Sequence, residues 1–404
     1  MDKKRLLIAI IFGLVCIGIG YFLYWVFFAS PKTVEVILPG EVLTPGELPT
    51  AEKGKITPAK ITPSQLPTAP GVTREAEELI ATKPLKNKQI IDTPILGANF
   101  DKSGLGKFYN QTDGKFYHLL PDGTVKTLSD QIFYNVQNIT WSSTKNESII
   151  EYPDGSNIYY NFDTKKQVTL PKHWEEFSFS ALGDKVASKS LGLAPENRWL
   201  ITTDPEGKNI SLIEPMGGNA DKVIVDWSPS RQVVALARTG EPLGDDRQEV
   251  LFVGLHGENF KSIIVEGRAL ETKWSPTGDK LLYNVHSARS NFKPELWVVN
   301  AEGDNIGTGR KLLDLNTWVD KCVFEDNRFV YCGVPTKLDI GSGFAPTMAD
   351  YTPDRLYKID TKSGLKTELN IDPGHVIENI FIDSANQILY FTDKNQAGLF
   401  NLPL

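Results

Sequence analysis

Residues that could act as nucleophiles, bases or metal ligands are few and scattered in this chain of 404 residues. Its five histidines are His118, His173, His256, His286 and His375. None belongs to a His-Glu-x-x-His motif or to a cluster of Cys and His, so a zinc site is not expected. No Gly-x-Ser-x-Gly nucleophile elbow occurs either. The sequence therefore predicts no catalytic residue, no metal and no cofactor.

The charged residues also give no sign of ion or nucleic-acid binding. Asp245 and Asp246 are adjacent in the segment GEPLGDDRQE and could contact calcium, but paired acids in a loop rich in Gly and Pro are usually solvated. The net charge is −7, and no basic tract follows the first five residues. Because phosphate binding needs clustered Lys and Arg, this pattern argues against nucleic acid as a partner.

Two of the three cysteines, Cys322 and Cys332, flank a predicted hairpin turn. A three-residue loop at residues 326–328 would set them opposite each other on one face of the hairpin, where a disulfide can form. A two-residue loop at residues 326–327 would turn them to opposite faces and leave two buried thiols. Both registers are compatible with the sequence, and only the first predicts a bridge.

An uncharged run of 23 residues, from Leu6 to Phe28, follows the basic residues Lys3, Lys4 and Arg5. About 20 apolar residues suffice for a helix to cross the hydrocarbon core. The positive-inside rule places the basic end in the cytoplasm. The sequence therefore predicts a single-pass membrane protein with a cytoplasmic tip at residues 1–5, a membrane helix at residues 6–28, and the rest of the chain outside the cytoplasm.

Two alternatives to a retained anchor are weaker. A cleaved signal peptide would have an unusually long apolar region, and cleavage after Ser30 would place Phe28 at −3 and Pro31 at +1. A lipoprotein signal would need a small residue before the lipidated cysteine, but Val15 precedes Cys16. The retained membrane helix is therefore the preferred interpretation.

Residues 29–84 are predicted to form a Pro- and Thr-rich linker. No Phe, Tyr or Trp occurs between Ala29 and Asn99, and eight prolines lie between residues 31 and 70. Such a segment has too little apolar surface to offset its ordering entropy. At about 3.1 Å per residue, forty residues of extended stalk would reach on the order of 100 Å. A short helix is predicted only at residues 73–82.

A repeat of 38 to 57 residues runs through the rest of the chain. Its clearest copies are VDWSPSRQVVALAR and TKWSPTGDKLLYNV, in which a strand ends near Trp, a tight turn follows and an apolar strand comes next. A second hairpin follows each first one, as in LYKIDTKSGLKTEL, so each repeat supplies four strands. The aromatic residues that mark the seven copies are Phe100, Trp141, Phe179, Trp227, Trp274, Phe324 and Phe381.

Repeats of this length with four strands each predict an all-β domain at residues 85–404, a seven-bladed β-propeller of four-stranded antiparallel blades. The two clearest copies resemble the WD40-like propeller repeats of the TolB family and the similar repeats of prolyl-oligopeptidase propellers. This resemblance implies the propeller fold and says little about function, because the shared Trp and turn residues are structural. The resemblance to prolyl-oligopeptidase propellers does not imply peptidase activity, since no hydrolase domain follows the repeats.

The seventh repeat lacks a fourth strand of its own, because QAGLFNLPL at residues 396–404 supplies only a third. A blade left with three strands would expose an edge. We therefore predict that residues 86–91 (KNKQII) supply the missing outer strand. The ring would then be closed by segments from both ends of the domain.

The connections between the second and third strands lengthen in blades four, five and six, at residues 239–248, 287–294 and 334–354. Propellers commonly bind partners on the face that carries these connections. Neutral insertion is the alternative, because long surface loops cost little. The candidate binding residues on these loops are Arg247, Arg289, Phe292, Lys293, Phe344, Met348, Asp350 and Tyr351.

Two functions remain open from the sequence. The preferred hypothesis is a binding or scaffolding module of the cell envelope, displayed outside the membrane for a protein, a peptide or a polysaccharide. The alternative is a propeller enzyme, such as a lactonase or glycosidase, with a site in the central channel. Convergent acidic, amide or imidazole groups at the channel mouth would favour the enzyme, and an exposed patch on the loops would favour binding.

Overall fold

The computed structural model describes residues 86–101, 104–244, 246–258 and 260–404. This part of the chain forms seven four-stranded antiparallel sheets, which are the blades of a β-propeller, as predicted. Within it, no helix is both long and apolar enough to span a membrane. The predicted membrane helix at residues 6–28, the linker up to residue 84 and the short helix at residues 73–82 all lie outside the described residues.

The strands are numbered β1 to β28 in chain order. An N-terminal strand, β1 (Lys88–Ile91), precedes blade one. Blade one contains β2 (Ile95–Phe100), β3 (Gly106–Asn110), β4 (Lys115–Leu119) and β5 (Val125–Ser129). Blade two contains β6 (Asn138–Trp141), β7 (Glu147–Glu151), β8 (Asn157–Asn161) and β9 (Lys166–Leu170). Blade three contains β10 (Trp174–Phe179), β11 (Val186–Leu191), β12 (Arg198–Thr203) and β13 (Ser211–Pro215).

The remaining blades follow the same pattern. Blade four contains β14 (Val223–Val225), β15 (Val233–Ala237), β16 (Gln248–Gly254) and β17 (Ile263–Val265). Blade five contains β18 (Arg268–Trp274), β19 (Lys280–His286), β20 (Glu295–Asn300) and β21 (Lys311–Leu312). Blade six contains β22 (Cys322–Phe324), β23 (Phe329–Pro335), β24 (Asp354–Asp360) and β25 (Lys366–Leu369). Blade seven contains β26 (Ile377–Asp383), β27 (Ile388–Asp393) and β28 (Leu399–Pro403).

Short 3₁₀ turns occupy some of the connections. In the described residues they are Pro195–Asn197, Gly217–Lys222, Ala288–Ser290, Gly303–Asn305, Val319–Lys321 and Pro346–Ala349. Each is too short to bury an apolar face of its own. Three of them bury a residue: Gly217–Lys222 buries Ala220, Val319–Lys321 buries Val319 and Lys321, and Pro346–Ala349 buries Ala349.

Strand β1 completes blade seven, whose strand order is β1-β28-β27-β26. It runs antiparallel to β28, with Lys88 opposite Asn401 and Ile91 opposite Leu399. The prediction that the segment KNKQII closes the ring is confirmed, although the paired strand begins two residues later than predicted. Blade seven therefore has four strands, and β28 is covered on its outer side by β1.

The tryptophans of the repeat pack between blades, as the sequence indicated. Trp141, Trp227 and Trp274 are buried. The indole of Trp141 donates a hydrogen bond to the Gly97 carbonyl of blade one at 2.6 Å, and that of Trp274 donates to the Asp226 carbonyl of blade four at 3.3 Å. The indoles of Trp141 and Trp274 therefore tie their blades to the preceding blade, at its first strand or the residue that follows it. All three rings are buried, so they are not available to stack on a ligand.

The turn after each tryptophan packs on the turn of the preceding blade. Gly278, which ends the turn of blade five, has φ +79°, and its amide donates to the Ser275 carbonyl at 2.9 Å. A Cβ atom at this position would lie 2.5 Å from Oγ of Ser228 in blade four. Glycine is therefore required here both by the backbone conformation and by the close approach of the neighbouring blade.

Cys322 and Cys332 lie opposite each other in the ladder of β22 and β23 and form a disulfide, with their Cα atoms 4.1 Å apart. The amide of Glu325 donates to the Phe329 carbonyl at 2.9 Å, so the turn is the three-residue loop at residues 326–328. Asp326 stabilises this loop by accepting hydrogen bonds from the amides of Arg328 and Phe329. The register that allows a bridge is therefore the one found.

The first strands of neighbouring blades contact one another around the central channel: β2 contacts β6 and β26, β6 contacts β10, β10 contacts β14, and β22 contacts β26. In an antiparallel blade, the connection between the second and third strands lies at the same end as the connection to the next blade. We call this end of the propeller the loop face and the opposite end the turn face.

Candidate functional site

The longest connection of the loop face, residues 336–353 of blade six, is a built structure. The Thr336 amide donates to the Pro353 carbonyl at 2.9 Å and closes the base of the loop. Within it, the Phe344 amide donates to the Gly341 carbonyl at 2.9 Å, and the 3₁₀ turn Pro346–Ala349 follows. We call this connection the blade-six loop. Its internal hydrogen bonds give it a defined conformation without a partner.

The blade-six loop is joined to the connection of blade five. The amides of Gly341 and Gly343 donate to the carbonyls of Asn291 and Phe292, at 3.0 and 2.7 Å respectively. The Phe344 ring lies 4.9 Å from the Phe292 ring, measured between centroids, in a tilted arrangement. Two of the predicted binding residues, Phe292 and Phe344, are thus brought into contact although they come from different blades.

Four large apolar side chains are exposed along the blade-six loop. Their exposed fractions are 71% for Ile340, 60% for Phe344, 48% for Met348 and 86% for Tyr351. We call this group the apolar ridge. Apolar side chains that stay exposed together on an ordered loop are typical of a surface that binds a partner.

The far side of the blade-six loop is fastened to blade seven. Asp350 forms an ion pair with Lys394, and the Asp350 carbonyl accepts a hydrogen bond from the Asn395 side chain at 2.9 Å. The blade-six loop is therefore held from both sides. Asp350, a predicted binding residue, is used at least in part for this attachment.

Beneath the blade-six loop, a cleft of about 290 Å³ opens at the mouth of the central channel. It is formed by the first strands of blades five and seven, the 3₁₀ turn before β22 and the blade-six loop. Its charged and polar lining residues are Glu271, Asp320, Lys321, Asp350, Glu378, Asn379 and Lys394, with the ring of Trp318 beside them.

The cleft rests on a buried ion pair. Nζ of Lys321 lies 2.8 Å from Oδ2 of Asp354, and both side chains are almost fully buried. Asp354 also accepts a hydrogen bond from the Ile377 amide at 2.7 Å, so the pair connects blade six to blade seven. Burial raises the pKa of Asp354, and the positive charge of Lys321 opposes this shift.

Burial disfavours the charged forms of several ionisable side chains, both in the cleft and elsewhere in blades four and five. Burial raises the pKa of Glu271, a hydrogen bond with the Asn284 side chain opposes the shift, and repulsion from Asp320 adds to it. Oε2 of Glu271 has no hydrogen-bond partner in the described part of the chain. Away from the cleft, at the residue after β14, burial raises the pKa of Asp226 to about 7. Lys273 donates to the Cys322 carbonyl at 2.7 Å, and burial lowers its pKa. Perturbed groups of this kind are common where ligands bind, although structural networks also produce them.

The turn face carries a second cleft, of about 530 Å³, at the other end of the channel. Three of its walls are the repeat aromatics Phe100, Phe324 and Phe381. Two acids at its rim are engaged within blade six. Asp326 stabilises its own hairpin turn, and Glu325 forms an ion pair with Lys358 of β24 at 2.7 Å. The lining of this cleft is therefore explained by the packing of the blades, and the cleft is not chosen as the candidate site.

The other predicted binding residues lie apart from the apolar ridge. Arg289 pairs with Glu295 at 2.6 Å and with Glu266 at 3.3 Å, and its guanidinium lies over the Trp297 ring, so its contacts are within blade five or at its edge. Lys293 follows Phe292 in the blade-five connection. Arg247 is exposed in the connection of blade four, where its carbonyl accepts from the Leu243 amide at 3.1 Å.

Apart from Asp350, the sequence did not single out the residues that line the cleft, and it did not single out His286. The imidazole of His286 is buried below the ridge, with its centroid 4.4 Å from that of the Phe344 ring. The described residues contain no group of three or more side chains placed to hold a metal ion; Asp245 lies outside them. The sequence contained one usable signal, which is position: Glu271 and Glu378 are polar residues that stand one or two residues before the repeat segments of blades five and seven.

No known family profile matches the chain, and no curated protein matches it in sequence. Solved structures do match. The oligogalacturonate lyase of Vibrio parahaemolyticus superposes with a TM-score of 0.51 at 11% identity, over 78% of this chain and 93% of that one. The Cps50 (Swd1) β-propeller domain of Myceliophteria thermophila has a TM-score of 0.49 at 11% identity, over 79% of this chain and 99% of that one.

TolB from Acinetobacter baumannii is also among the matching structures, with a TM-score of 0.40 at 11% identity. The match covers 70% of this chain and 63% of TolB, so this chain corresponds to less than two thirds of that protein's length. At these identities the likeness concerns the fold alone. The propeller itself rests on the seven four-stranded sheets of the described residues.

Proposed function

We propose that this protein is a membrane-anchored, extracytoplasmic binding or scaffolding module, and that a protein or peptide partner docks on its loop face over blades five to seven. The anchor would be the apolar run from Leu6 to Phe28, and the linker would hold the propeller away from the membrane. A carbohydrate polymer of the envelope is a less favoured ligand, because the tryptophans of the repeat are buried between blades.

The observation that carries this proposal is the apolar ridge. Burying Phe344, Met348 and Tyr351 against a partner would remove a large apolar surface from water, at roughly 25 cal/mol per Å². The blade-six loop is already held by blades five and seven, so little conformational entropy would be lost on binding. Aromatic and Met side chains are also the residue types most enriched in the centres of interfaces.

The cleft adjoining the ridge adds an electrostatic preference. Its two lysines are engaged by carboxylates, Lys321 by Asp354 and Lys394 by Asp350. Three further carboxylates line the cleft, those of Glu271, Asp320 and Glu378. The cleft should therefore attract a cationic group. We expect a partner segment in which a Lys or Arg side chain adjoins apolar side chains.

Site-specific crosslinking of the full chain in the cells that produce it tests the proposal. A photoreactive amino acid at Tyr351 should give a discrete adduct with one partner. The matched control is Leu193, which is fully exposed in the blade-three connection on the same face. An adduct of equal yield at both positions, or none at Tyr351, would contradict a docking site on the ridge.

Variants of the ridge then measure its contribution. Tyr351→Ala combined with Met348→Ala should weaken binding of the captured partner at least tenfold, whereas Leu193→Ala should leave it unchanged. Glu378→Gln should weaken it less and should reduce the salt dependence of binding, because a screened charge is removed. Unchanged affinity in the double variant would contradict the proposal that the apolar ridge is the docking surface.

The proposed anchoring has a separate test. Protease added to intact cells should release the propeller by cutting the Pro-rich linker, since the linker and propeller would lie outside the cytoplasm. A C-terminal tag reports the released domain. Full protection of that tag, in cells whose envelope admits the protease, would contradict the proposed topology while leaving the docking site untouched.

An enzyme with a site in the channel is the second candidate, and the carboxylates at the channel mouth favour it. A glycosidase would use two carboxyl groups, one of them with a raised pKa to act as the acid. Glu271 has this property. Hydrolysis of a glycoside or lactone that is abolished by Glu271→Gln, and retained by Glu266→Gln outside the cleft, would establish this alternative.

A further inference from the structure

We propose that His286 is the sensor of an acid-operated latch: its neutral imidazole seats the blade-six loop, and its protonation releases that loop and rearranges the apolar ridge. The inference rests on the proposed function only in that the ridge is taken to be the docking surface. The latch itself is a property of the isolated protein and can be tested without a partner.

The blade-six loop sits directly on the imidazole. The ring centroids of Phe344 and His286 are 4.4 Å apart, with the rings steeply inclined, and Phe292 adds a second aromatic contact at 6.4 Å. A Cβ atom at Gly343 would lie 2.6 Å from Cγ of His286 and 2.7 Å from its Nδ1. Only a glycine backbone can approach the ring so closely, so the position of the loop depends on this contact.

The seat of the latch buries the imidazole and leaves one of its two nitrogens without a hydrogen-bond partner among the described residues. His286 is only 4% exposed, and its Nε2 has no hydrogen-bond partner in the described part of the chain. The hydroxyl of Ser342, beside Gly343, is likewise buried and without a partner among these residues. Protonation here would create a buried Nε2–H donor that has no acceptor among the described residues, and burying an unpaired charged donor is costly.

The charged groups around the latch do not favour protonation. Burial lowers the pKa of His286, and the positive charge of Arg268 on β18 lowers it further. In the blade-five connection, Arg289 is engaged by Glu266 and Glu295, and Lys293 is a second positive charge. The acids of the blade-six loop are engaged elsewhere: Asp339 lies near Lys337 at 3.8 Å, and Asp350 pairs with Lys394.

The direction of the pH effect follows from these surroundings. Because the seated loop holds His286 below its ordinary pKa of about 6.5, the released loop binds the proton more tightly. The latch is therefore fully closed above about pH 6.5. Below that value, the ratio of seated to released loop falls by up to about tenfold for each pH unit, until the lowered pKa of the seated state is reached.

The blade-five connection is also held in a conformation that favours release. Asn291 and Phe292, whose carbonyls accept the bonds from the blade-six loop, have φ values of +53° and +55°. This left-handed region is unfavourable for a residue such as Phe. The hydrogen bonds and ring contacts of the seated loop offset this cost, so their loss allows the connection to relax.

The methionines allow a direct test. The chain contains three, and of these Met348 lies on the ridge while Met216 is buried in blade three and Met1 begins the chain. The full chain labelled with ¹³C at the methionine methyl groups should be titrated from pH 8 to pH 5. We expect the Met348 methyl signal to shift or broaden with a one-proton midpoint below pH 6.5, while the Met216 signal stays in place.

Variants then assign the proton to His286. In His286→Phe, which keeps an aromatic ring in the seat, the Met348 signal should no longer respond to pH. His286→Gln provides a second non-titrating side chain, and the Met216 signal shows whether each variant is folded. The matched control is His118→Phe, which removes another histidine with an unpartnered buried nitrogen, in blade one, and should leave the response intact.

The outcomes separate the latch from the proposed function. A Met348 signal that does not respond between pH 8 and pH 5, or that responds equally in folded His286→Phe and His286→Gln, would overturn the latch. Ridge variants that fail to affect partner binding would overturn the docking surface instead. A response that disappears only in the two His286 variants supports the latch, whichever partner the ridge receives.

Discussion

The side-chain amide nitrogen of Asn87 lies 2.7 Å from Nε2 of His375, although the two residues are 288 positions apart in the sequence. Oδ1 of Asn87 accepts a hydrogen bond from the Asp372 amide at 3.0 Å, and Nδ1 of His375 lies 2.8 Å from Oδ2 of Asp393. The residue before β1 is thus bonded to the segment that joins blades six and seven. Closure of the ring depends on these side chains as well as on the β1–β28 ladder.

Removing this contact should therefore destabilise the whole propeller. Asn87→Ala leaves the buried ring of His375 without one partner, which should cost about 1–3 kcal/mol and lower the midpoint of thermal unfolding by a few degrees. Deleting residues 85–94 removes β1 entirely and should cost more. The control is Lys88→Ala, whose side chain is exposed. An unchanged midpoint in the deletion variant would refute closure by β1.

The disulfide between Cys322 and Cys332 predicts a definite thiol count. The full chain has three cysteines, so the denatured, unreduced protein should show one free thiol, that of Cys16. Because the loop it closes is short, reduction should cost only a few kcal/mol at most. Three free thiols in protein isolated without reductant would show that the bridge is absent. Cys322→Ser should then raise the count to two in the bridged protein.

The propeller could be predicted from the sequence because its signals are local. Trp141, Trp227 and Trp274, each followed by a tight turn, mark the end of a first strand, and the spacing between copies gives the number of blades. The fold of each hairpin also depends on nearby residues, which is why the register of Cys322 and Cys332 could be reduced to two possibilities. The choice between them depended on a single turn, whose length the composition does not determine.

The cleft and the latch could not be predicted because their residues come from different blades and meet only when those blades pack together. Glu271 and Glu378 lie on the first strands of different blades, and no spacing relates them. His286 ends an apolar strand, and its contact with Gly343 comes from the next blade. Arg289, a binding residue predicted from the sequence, pairs with Glu266 in the connection between β17 and β18 and with Glu295 of β20, and the sequence does not show these contacts.

The partly buried carboxyl of Asp226 should make stability depend on pH. Its pKa of about 7 in the folded protein lies above the value of about 3.9 in the unfolded chain, so the folded state binds the proton more tightly. Stability should then fall as the pH rises from about 4 to about 7, by up to roughly 1.4 kcal/mol for each unit. Above pH 7 the loss is complete.

Replacing Asp226 with Asn should abolish this loss. Asp226→Asn should unfold at a higher temperature than the unmodified protein at pH 8 and show a much smaller difference at pH 5. Thermal unfolding at the two pH values measures both quantities. Asp304→Asn, at a fully exposed position, should behave as the unmodified protein at each pH. A variant less stable than the parent at pH 8 would contradict the raised pKa.

The buried pair of Lys321 and Asp354 should be the most sensitive charge interaction in the described part of the chain. Lys321→Met leaves the Asp354 carboxylate buried without its cation, which typically costs 3–5 kcal/mol. The loss should appear in thermal unfolding at pH 7. It should shrink as the pH falls, because protonation removes the uncompensated charge from a carboxyl whose pKa is already raised by burial.

A second substitution separates the loss of attraction from the cost of an unpaired charge. If the unpaired carboxylate causes the damage, Lys321→Met combined with Asp354→Asn should recover part of the stability lost in Lys321→Met alone, although the Ile377 amide loses a charged acceptor. The matched control is Lys337→Ala, which breaks the exposed pair with Asp339 and should change stability by less than about 0.5 kcal/mol. Equal losses in Lys321→Met and Lys337→Ala would show that the Lys321–Asp354 pair does not support the floor of the cleft.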